Sequence, residues 1–255
     1  MKILITGGNG YIAKSLAKEL NDVTLITRKD FDLTSREATD IWFENKFFDI
    51  VIHTAISGGS RLKKDDGNVF YQNIQMFYNL LNNKSNFKKL ISFGSGAELN
   101  MPTDPYGLSK NIINRIIRQE PNFYNIRIYG VFDENELDTR FIKSNIKRYI
   151  NKKPMEIYQN KFMDFFYMKD LISLVKYYIN NSTLPKISEC SYKQKYSLLD
   201  IAQIINKQSD YTLPIQFKKL NYDEPYNGKI TLPIQIIGLK KGIKETYKKI
   251  KNGSN

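Results

Sequence analysis

Histidine and cysteine are almost missing from this chain: His53 and Cys190 stand alone among 255 residues. A single cysteine excludes an intrachain disulfide and any thiolate metal cluster, and it points to a reducing compartment, the cytoplasm. A single histidine leaves no room for the usual zinc ligand sets or for a Ser-His-Asp triad, so no metal site is expected. His53 itself reads as a core or strand-end residue, and Cys190, outside every motif, as inert. Long apolar runs are lacking too. None approaches the ~18 residues of a membrane helix, and the N-terminal strand enters a polar glycine turn rather than a signal peptide. No membrane partner is expected.

Positive charge is plentiful, with 39 Lys and Arg against 26 Asp and Glu and a formal net charge of +13. Such a balance suits an anionic partner, either nucleic acid or a phosphate-bearing small molecule. The basic residues are spread over Arg61-Lys63-Lys64, over Lys143 to Lys153 and over Lys240 to Lys251. Those spacings describe solvated helix faces, and a basic patch without a reading motif does not favour nucleic acid. The 17 tyrosines and 15 phenylalanines read as core rather than as a base-stacking platform.

The most informative stretch is the N-terminus, MKILITGGNGYIAKSLAKEL. Lys2 to Ile5 has strand length, Thr6 to Gly10 is a turn, and Tyr11 to Ala17 repeats apolar residues at helical spacing. Gly7, Gly8, Gly10 and Ala13 fall where a strand-turn-helix dinucleotide site needs small residues, and the helix start offers N–H groups to phosphates. Gly7, Gly8, Asn9, Gly10, Tyr11 and Ile12 are therefore candidate cofactor residues.

Strands then alternate with helices. Strands are expected at Val23–Thr27, Asp49–His53, Lys89–Phe93 and Tyr124–Tyr129. Helices are expected at Ser35–Asn45, with Ser35 as N-cap, at Asn68–Asn82, with Phe77 and Tyr78 on its apolar side, and at Asp104–Arg118. This order predicts an α/β fold, a Rossmann doubly wound parallel sheet with right-handed crossovers. Beyond Val131 the elements become short and mixed. They comprise helices near 139–151, 170–180, 198–208 and 238–251, and strands at Met155–Tyr158, Phe162–Tyr167, near Ile187 and at Ile215–Leu220. Residues 1–130 are thus expected to form the dinucleotide-binding core. Residues 131–255 are expected to be mostly a small mixed α/β substrate-capping region, with part of the chain returning to the core.

Ser95, Tyr106 and Lys110 form the sharpest chemical constellation. Asp104 and Pro105 suit the N-cap and first position of a helix, which puts Tyr106 and Lys110 at i and i+4 on one face. An ammonium there favours the phenolate and brings the phenol into a working range for proton transfer. Ser95 follows the fourth strand, at the carboxyl edge where ligands of such sheets bind. At the end of the second strand, Arg28 and Lys29 stand where NAD sites usually carry an acid. Two cations there suit a ribose 2′-phosphate, so NADP(H) is favoured and NAD(H) remains possible. Ala55 and Ile56, after the third strand, would line the pyrophosphate side.

The glycine turn, Ser95 and Tyr106-x-x-x-Lys110 together resemble the extended short-chain dehydrogenase/reductases that act on nucleotide sugars. Arg127-Ile128-Tyr129-Gly130 is similar to that family's Arg-x-x-Asn-x-Tyr-Gly strand end. Asp164 to Asp170 is similar to its Arg-Asp-x-x-Tyr-Val-Asp-Asp segment, with Met163 in place of the arginine. Thr27 to Leu33 and Gly58-Gly59 are most similar to the GDP-fucose synthase group. The resemblance implies that Ser95 polarises a sugar carbonyl, that Tyr106 is the proton donor or acceptor, and that Lys110 holds the nicotinamide ribose. It implies that Asp32 and Leu33 edge the adenine, and that Asn73 braces the cofactor side of the site. It also implies a homodimer built from the helices at Asn68 and Asp104. Gly96 and Ala97 would lie beside the sugar. Arg140, Lys143 and Lys161 are candidates for the substrate diphosphate, since Met163 cannot take that role. Tyr106 follows Ser95 more closely than in most extended members, which alters the sugar pocket.

Within the family, 4,6-dehydratases carry Thr-Asp-Glu where this chain has Ser95-Gly96-Ala97, which speaks against dehydration. GDP-fucose synthase also epimerises through a cysteine and a histidine, at positions that correspond here to Ala97 and Arg140. The reading is then NADPH-dependent reduction of a 4-keto-6-deoxy nucleotide sugar, with a nucleotide-sugar 4-epimerase as the alternative. A non-catalytic nucleotide- or nucleic-acid-binding protein is the alternative of another class.

Overall fold

The computed structural model describes residues 1–60, 63–229 and 234–253. Arg61, of the basic run Arg61-Lys63-Lys64, lies outside the described residues. The chain divides into two compact units, Met1–Arg127 with Val175–Ser188, and Ile128–Leu174 with Glu189–Asn255. In the first unit β1 (Ile3–Thr6), α1 (Tyr11–Ala17), β2 (Val23–Ile26), α2 (Arg36–Phe43) and β3 (Phe48–His53) follow one another. Then come α3 (Gly67–Asn82), β4 (Phe87–Ser95), α4 (Ala97–Asn100), α5 (Pro105–Gln119) and β5 (Phe123–Ile128). The chain goes on through β6 (Val131–Phe132), α6 (Phe141–Ile150), β7 (Met155–Gln159) and β8 (Phe166–Tyr167). α7 (Met168–Asn180) starts in the second unit and ends in the first. β9 (Ile187–Glu189), α8 (Leu198–Asn206), β10 (Ile215–Lys219) and α9 (Leu239–Gly253) complete it.

Six strands form the sheet β2-β1-β3-β4-β5-β9, with β1 parallel to both β2 and β3, and β3 parallel to β4. β1 is buried along its whole length and β3 nearly so, as expected of strands covered on both faces. This is the doubly wound α/β sheet that the alternation implies. Its core gathers Phe43, Phe77, Leu80, Phe87, Ile117 and Phe123, each burial stabilising by roughly 1.5–3 kcal/mol. Local signals place the helices. Ser35 caps α2 by accepting Ala38 N–H, and Asp66 caps α3 by accepting Asn68 and Val69 N–H.

The second unit has two-stranded pieces, β10 parallel to β7 and β6 parallel to β8. A capping box between Ser197 and Asp200 starts α8. Tyr149 and Tyr211 stack with ring centres 4.6 Å apart, and each hydroxyl donates to the other's backbone carbonyl. The strand expected over Phe162–Tyr167 contracts to Phe166–Tyr167. Phe162 and Met163 make only isolated bridges, because Asp164 is drawn into bonds with Lys195 and the Gly228 N–H instead of a ladder. Tyr78, expected on the apolar side of α3, is half exposed. α4 and β6 are too short to leave a periodic signal. Among the described residues no helix is long and apolar enough to cross a membrane.

Candidate active site

The glycine turn lies at the carboxyl end of β1. Gly7 has φ of 70°, and a Cβ there would stand 2.7 Å from the Ala55 backbone. Only glycine meets both demands, so β1 and the segment after β3 can approach closely. Gly8 donates its N–H to the Ile26 carbonyl at 2.8 Å, and Gly10 to the Gly7 carbonyl at 2.8 Å. Beside this turn is a cavity of about 360 Å³. Of the candidate cofactor residues, Gly7, Asn9, Gly10, Arg28, Asp32, Leu33, Ala55 and Ile56 line it. Gly8, Tyr11, Ile12, Lys29, Asn73 and Lys110 do not. Gly8 instead packs against β2, where a Cβ would meet the Ile26 carbonyl and the Leu25 and Thr27 side chains. Thr6, Thr54, Met76 and Phe31 line the cavity without having been singled out in the sequence. Phe31 stacks on Trp42, with ring centres 5.0 Å apart.

The two carboxylates nearest the end of β2 are committed to their own turns. Asp30 accepts the Thr27 N–H at 2.7 Å and its hydroxyl at 3.0 Å, and Asp32 accepts the Thr34 N–H and hydroxyl. These bonds hold both carboxyls below the usual carboxylate range. The acids are thus spent on loop geometry, and Arg28 is the cation that lines the cavity. A glycine-walled cleft of this size, edged by an arginine, fits the adenine, ribose and phosphates of a dinucleotide.

Ser95 ends β4 and Tyr106 opens α5. Asp104 caps α5 by accepting the Tyr106 N–H at 3.1 Å, with Pro105 in the first turn. α4 packs directly under this turn, where a side chain on Gly107 would overlap the Met101 carbonyl and stand 2.7 Å from that of Ala97. Asn111 reaches back to the Glu98 carbonyl at 3.0 Å. The four-residue α4 therefore carries the chain from Ser95 to the base of the helix that bears Tyr106. Gly96 and Ala97 are buried in this packing. The Tyr106 ring is half-buried against Gly59, whose Cβ would stand 2.7 Å from Tyr106 Cζ.

Lys110, one turn on, is buried, and its Nζ donates to the Phe93 carbonyl at 2.6 Å. Burial pushes its ammonium down to about 8, against the pull of Glu98 in the other direction. One of its three donors is used in that bond. Asn73 braces the same region. It accepts the Ser57 N–H and donates to the Ser57 carbonyl and to Ser109 Oγ at 3.1 Å. Ser109 in turn donates to the Tyr106 carbonyl. His53 is buried beside Thr6 Oγ1 at 2.9 Å, and burial lowers it to about 3, so it is uncharged at neutral pH.

The sequence reading missed a buried charge pair. Arg127 donates through Nε and Nη2 to Glu98 Oε2, at 3.0 and 2.9 Å, while Glu98 Oε1 accepts the Ser95 N–H at 3.0 Å. Arg127 was visible only as part of the strand-end motif. Glu98 carried no signal beyond following Ser95 by three positions.

The diphosphate candidates lie in the second unit. Arg140 is the exposed N-cap of α6. Lys143 donates to the Glu136 carbonyl and pairs with Asp138 at 2.9 Å, and Lys161 pairs with Asp223 at 2.7 Å. Both lysines would exchange a carboxylate for a phosphate to serve as ligands. The Asp164–Asp170 segment also has a structural role. Buried Asp170 accepts the Tyr192 hydroxyl and the Ile237 and Gly238 N–H groups.

The model of the NAD dependent epimerase/dehydratase family matches residues 3–189. The chain belongs to that family. Membership makes it an NAD(P)-dependent enzyme, an extended short-chain dehydrogenase/reductase of the nucleotide-sugar-modifying kind. No curated protein matches it by sequence. Among solved structures, this family member is similar to MlghC, a GDP-mannoheptose C4 reductase from Campylobacter jejuni with NADP bound. The two share 17% identity over 97% of each chain, with a TM-score of 0.81. It is similar to a UDP-glucose 4-epimerase from Thermotoga maritima at 14% identity over all of both chains, with a TM-score of 0.84. A GDP-L-fucose synthetase from Naegleria fowleri shares 18% identity over 96% of this chain and 91% of that one, with a TM-score of 0.75. At these identities the likeness is one of fold.

Proposed function

We propose that this enzyme reduces the 4-keto group of a 4-keto-6-deoxy nucleotide sugar with NADPH as the cofactor. The observation that carries the reading is the buried Lys110 ammonium one helical turn from Tyr106, on the helix that packs over the segment leaving Ser95. The first unit would hold the cofactor, with Gly7, Gly10, Ala55 and Ile56 around the phosphates, Asp32 and Leu33 at the adenine, and Arg28, seconded by Lys29, at the ribose 2′-phosphate. Bound NADPH supplies the hydride. Ser95 donates its hydroxyl to the substrate carbonyl, its Oγ already accepting the Ala97 N–H at 3.2 Å. Tyr106 gives its proton to the oxygen that becomes the alcohol. Lys110 holds the nicotinamide ribose and stabilises the phenolate left behind. The second unit would bind the nucleotide diphosphate through Arg140, Lys143 and Lys161. That the C. jejuni reductase was solved with NADP supports the choice of cofactor.

The test is NADPH oxidation followed at 340 nm with GDP-, UDP- and dTDP-linked 4-keto-6-deoxy sugars. Turnover with at least one of them, falling by 10²-fold or more in Tyr106→Phe, is expected. Near-full activity in that variant would remove Tyr106 from the chemistry. Interconversion of nucleotide sugars without net NADPH oxidation would assign a 4-epimerase instead.

We also infer a homodimer through α3 and α5. These helices expose Tyr71, Tyr78 and Leu108, apolar surface that a partner copy would cover. A single buried thiol suits a cytoplasmic home. Sedimentation at the mass of one chain would overturn the dimer.

A further inference from the structure

We propose that the buried Glu98–Arg127 pair is a positioning device for the active site, fixing Ser95 and balancing the charge of Lys110. This rests on the reading of Ser95, Tyr106 and Lys110 as the reacting set. Glu98 and Arg127 are 1% and 4% exposed. Both oxygens of the carboxylate are engaged: Oε2 by two guanidinium N–H groups, and Oε1 by the Ser95 N–H and, at 3.3 Å, by Asn125 Nδ2. Gly94 leaves room for this carboxylate, which a Cβ at that position would overlap. One side chain thus ties the end of β4 to β5, and the residue whose backbone it grips is Ser95.

Stability alone is a poor reason to keep such a pair. Withdrawing two charges from water costs several kcal/mol per ion, and well-packed apolar residues often replace buried pairs without loss. The neighbourhood offers a better reason. The Lys110 Nζ donates to the Phe93 carbonyl of β4, and Tyr106 stands one turn earlier on its own helix. The ammonium lies within the electrostatic reach of Glu98 from α4, itself held by Arg127 of β5, and of uncharged His53 from β3. The Glu98 charge opposes the desolvation that drives Lys110 towards the neutral amine. Without that charge, the desolvation of Lys110 would act unopposed and push the proton off.

Two readouts test this, one of them free of substrate. In protein labelled with ¹³C-lysine, the Lys110 resonance is identified by its loss in Lys110→Met, and its titration is compared between wild type and Glu98→Gln. The midpoint in Glu98→Gln is expected at a tenfold or greater increase in proton concentration, with NADPH affinity within twofold of wild type. Turnover of the 4-keto nucleotide sugar is expected to lose at least tenfold in kcat, and its pH profile to move with the Lys110 midpoint. An unmoved midpoint in a variant that binds NADPH normally overturns the proposal. Should Glu98→Gln fold poorly, Glu98→Leu/Arg127→Leu removes both charges together. It is expected to fold and bind NADPH, yet to stay at least tenfold down in kcat. Wild-type kcat there, or failure to fold, would make the pair merely structural and overturn the proposal. A wild type that turns over no nucleotide sugar, while its Lys110 midpoint still depends on Glu98, would sink the reductase reading and leave the role of the pair standing.

Discussion

Burial drives ionisable groups far from their ordinary range in both units of the molecule, and Lys110 of the first and Glu136 of the second change stability with opposite sign as pH rises. In the first unit Lys110 is pushed down to about 8 by burial on a helix whose position is set by a regular βα alternation. In the second, burial raises the Glu136 carboxyl to about 8, although its Oε1 accepts the Lys143 N–H and Arg140 stands near. The lysine belongs to a site that the sheet topology organises. The glutamate sits in the loop before α6, where no ladder exists and side chains must hold the backbone. A regular scaffold can place a costly charge where chemistry needs it, whereas an irregular region uses its buried polar groups to keep its own shape.

The largest expected effect tests that contrast directly. The Glu136 carboxyl, raised in the fold from 4.5 to about 8, makes the folded state bind more protons between those values, so stability falls as pH rises from 4.5 to 8. Lys110, lowered from 10.5 to about 8, makes the folded state bind fewer protons between 8 and 10.5, so stability rises across that interval. The ceilings are about 5 and about 3 kcal/mol. His53, lowered from 6.5 to about 3, makes stability rise with pH up to 6.5 and opposes the Glu136 fall there. Chemical denaturation should therefore show the Glu136 fall between 6.5 and 8 and the Lys110 rise above 8. Glu136→Gln is expected to flatten only the first, and Lys110→Met only the second. Loss of both slopes in either variant would erase the distinction between the units.

The next effect concerns the polar anchors of the second unit. Asp170→Ala strips acceptors from the Tyr192 hydroxyl and from the Ile237 and Gly238 N–H groups, and should cost about 3 kcal/mol in urea unfolding. NADPH affinity in the first unit should stay within twofold. An equal loss of cofactor binding would show that the division of labour is wrong. Arg28→Ala is smaller, an expected tenfold weakening for NADPH with little change for NADH, equivalent to about 1.4 kcal/mol. Equal loss for both cofactors would place Arg28 away from the 2′-phosphate. Smallest are the exposed ion pairs, where Lys88→Ala in the first unit and Lys249→Ala in the second should each change stability by under ~1 kcal/mol.

Local chemistry made much of the first unit legible. Ser35 and Asp104 announce their helices because an N-cap is a contact between near neighbours, and β1 and β3 announce themselves as apolar runs. The second unit yielded less. The strand expected at Phe162 shrank because Asp164 engages Lys195 and Gly228, thirty or more positions away, and no window of sequence contains that pull. Lys143 and Lys161 read as phosphate ligands from their charge alone, but their nearest anions are the chain's own Asp138 and Asp223.

The residues by themselves determined the glycine turn, the helix caps and the shared face of Tyr106 and Lys110, since each depends on spacings of a few positions and on backbone geometry that glycine, proline or a capping oxygen dictates. Only the tertiary structure decided that Glu98 would meet Arg127 over Ser95, that the acids after β2 would turn inward on Thr27 and Thr34, and that Lys110 and Glu136 would be buried. Burial and long-range pairing are properties of the packed chain. They set the protonation of a side chain that its identity leaves open.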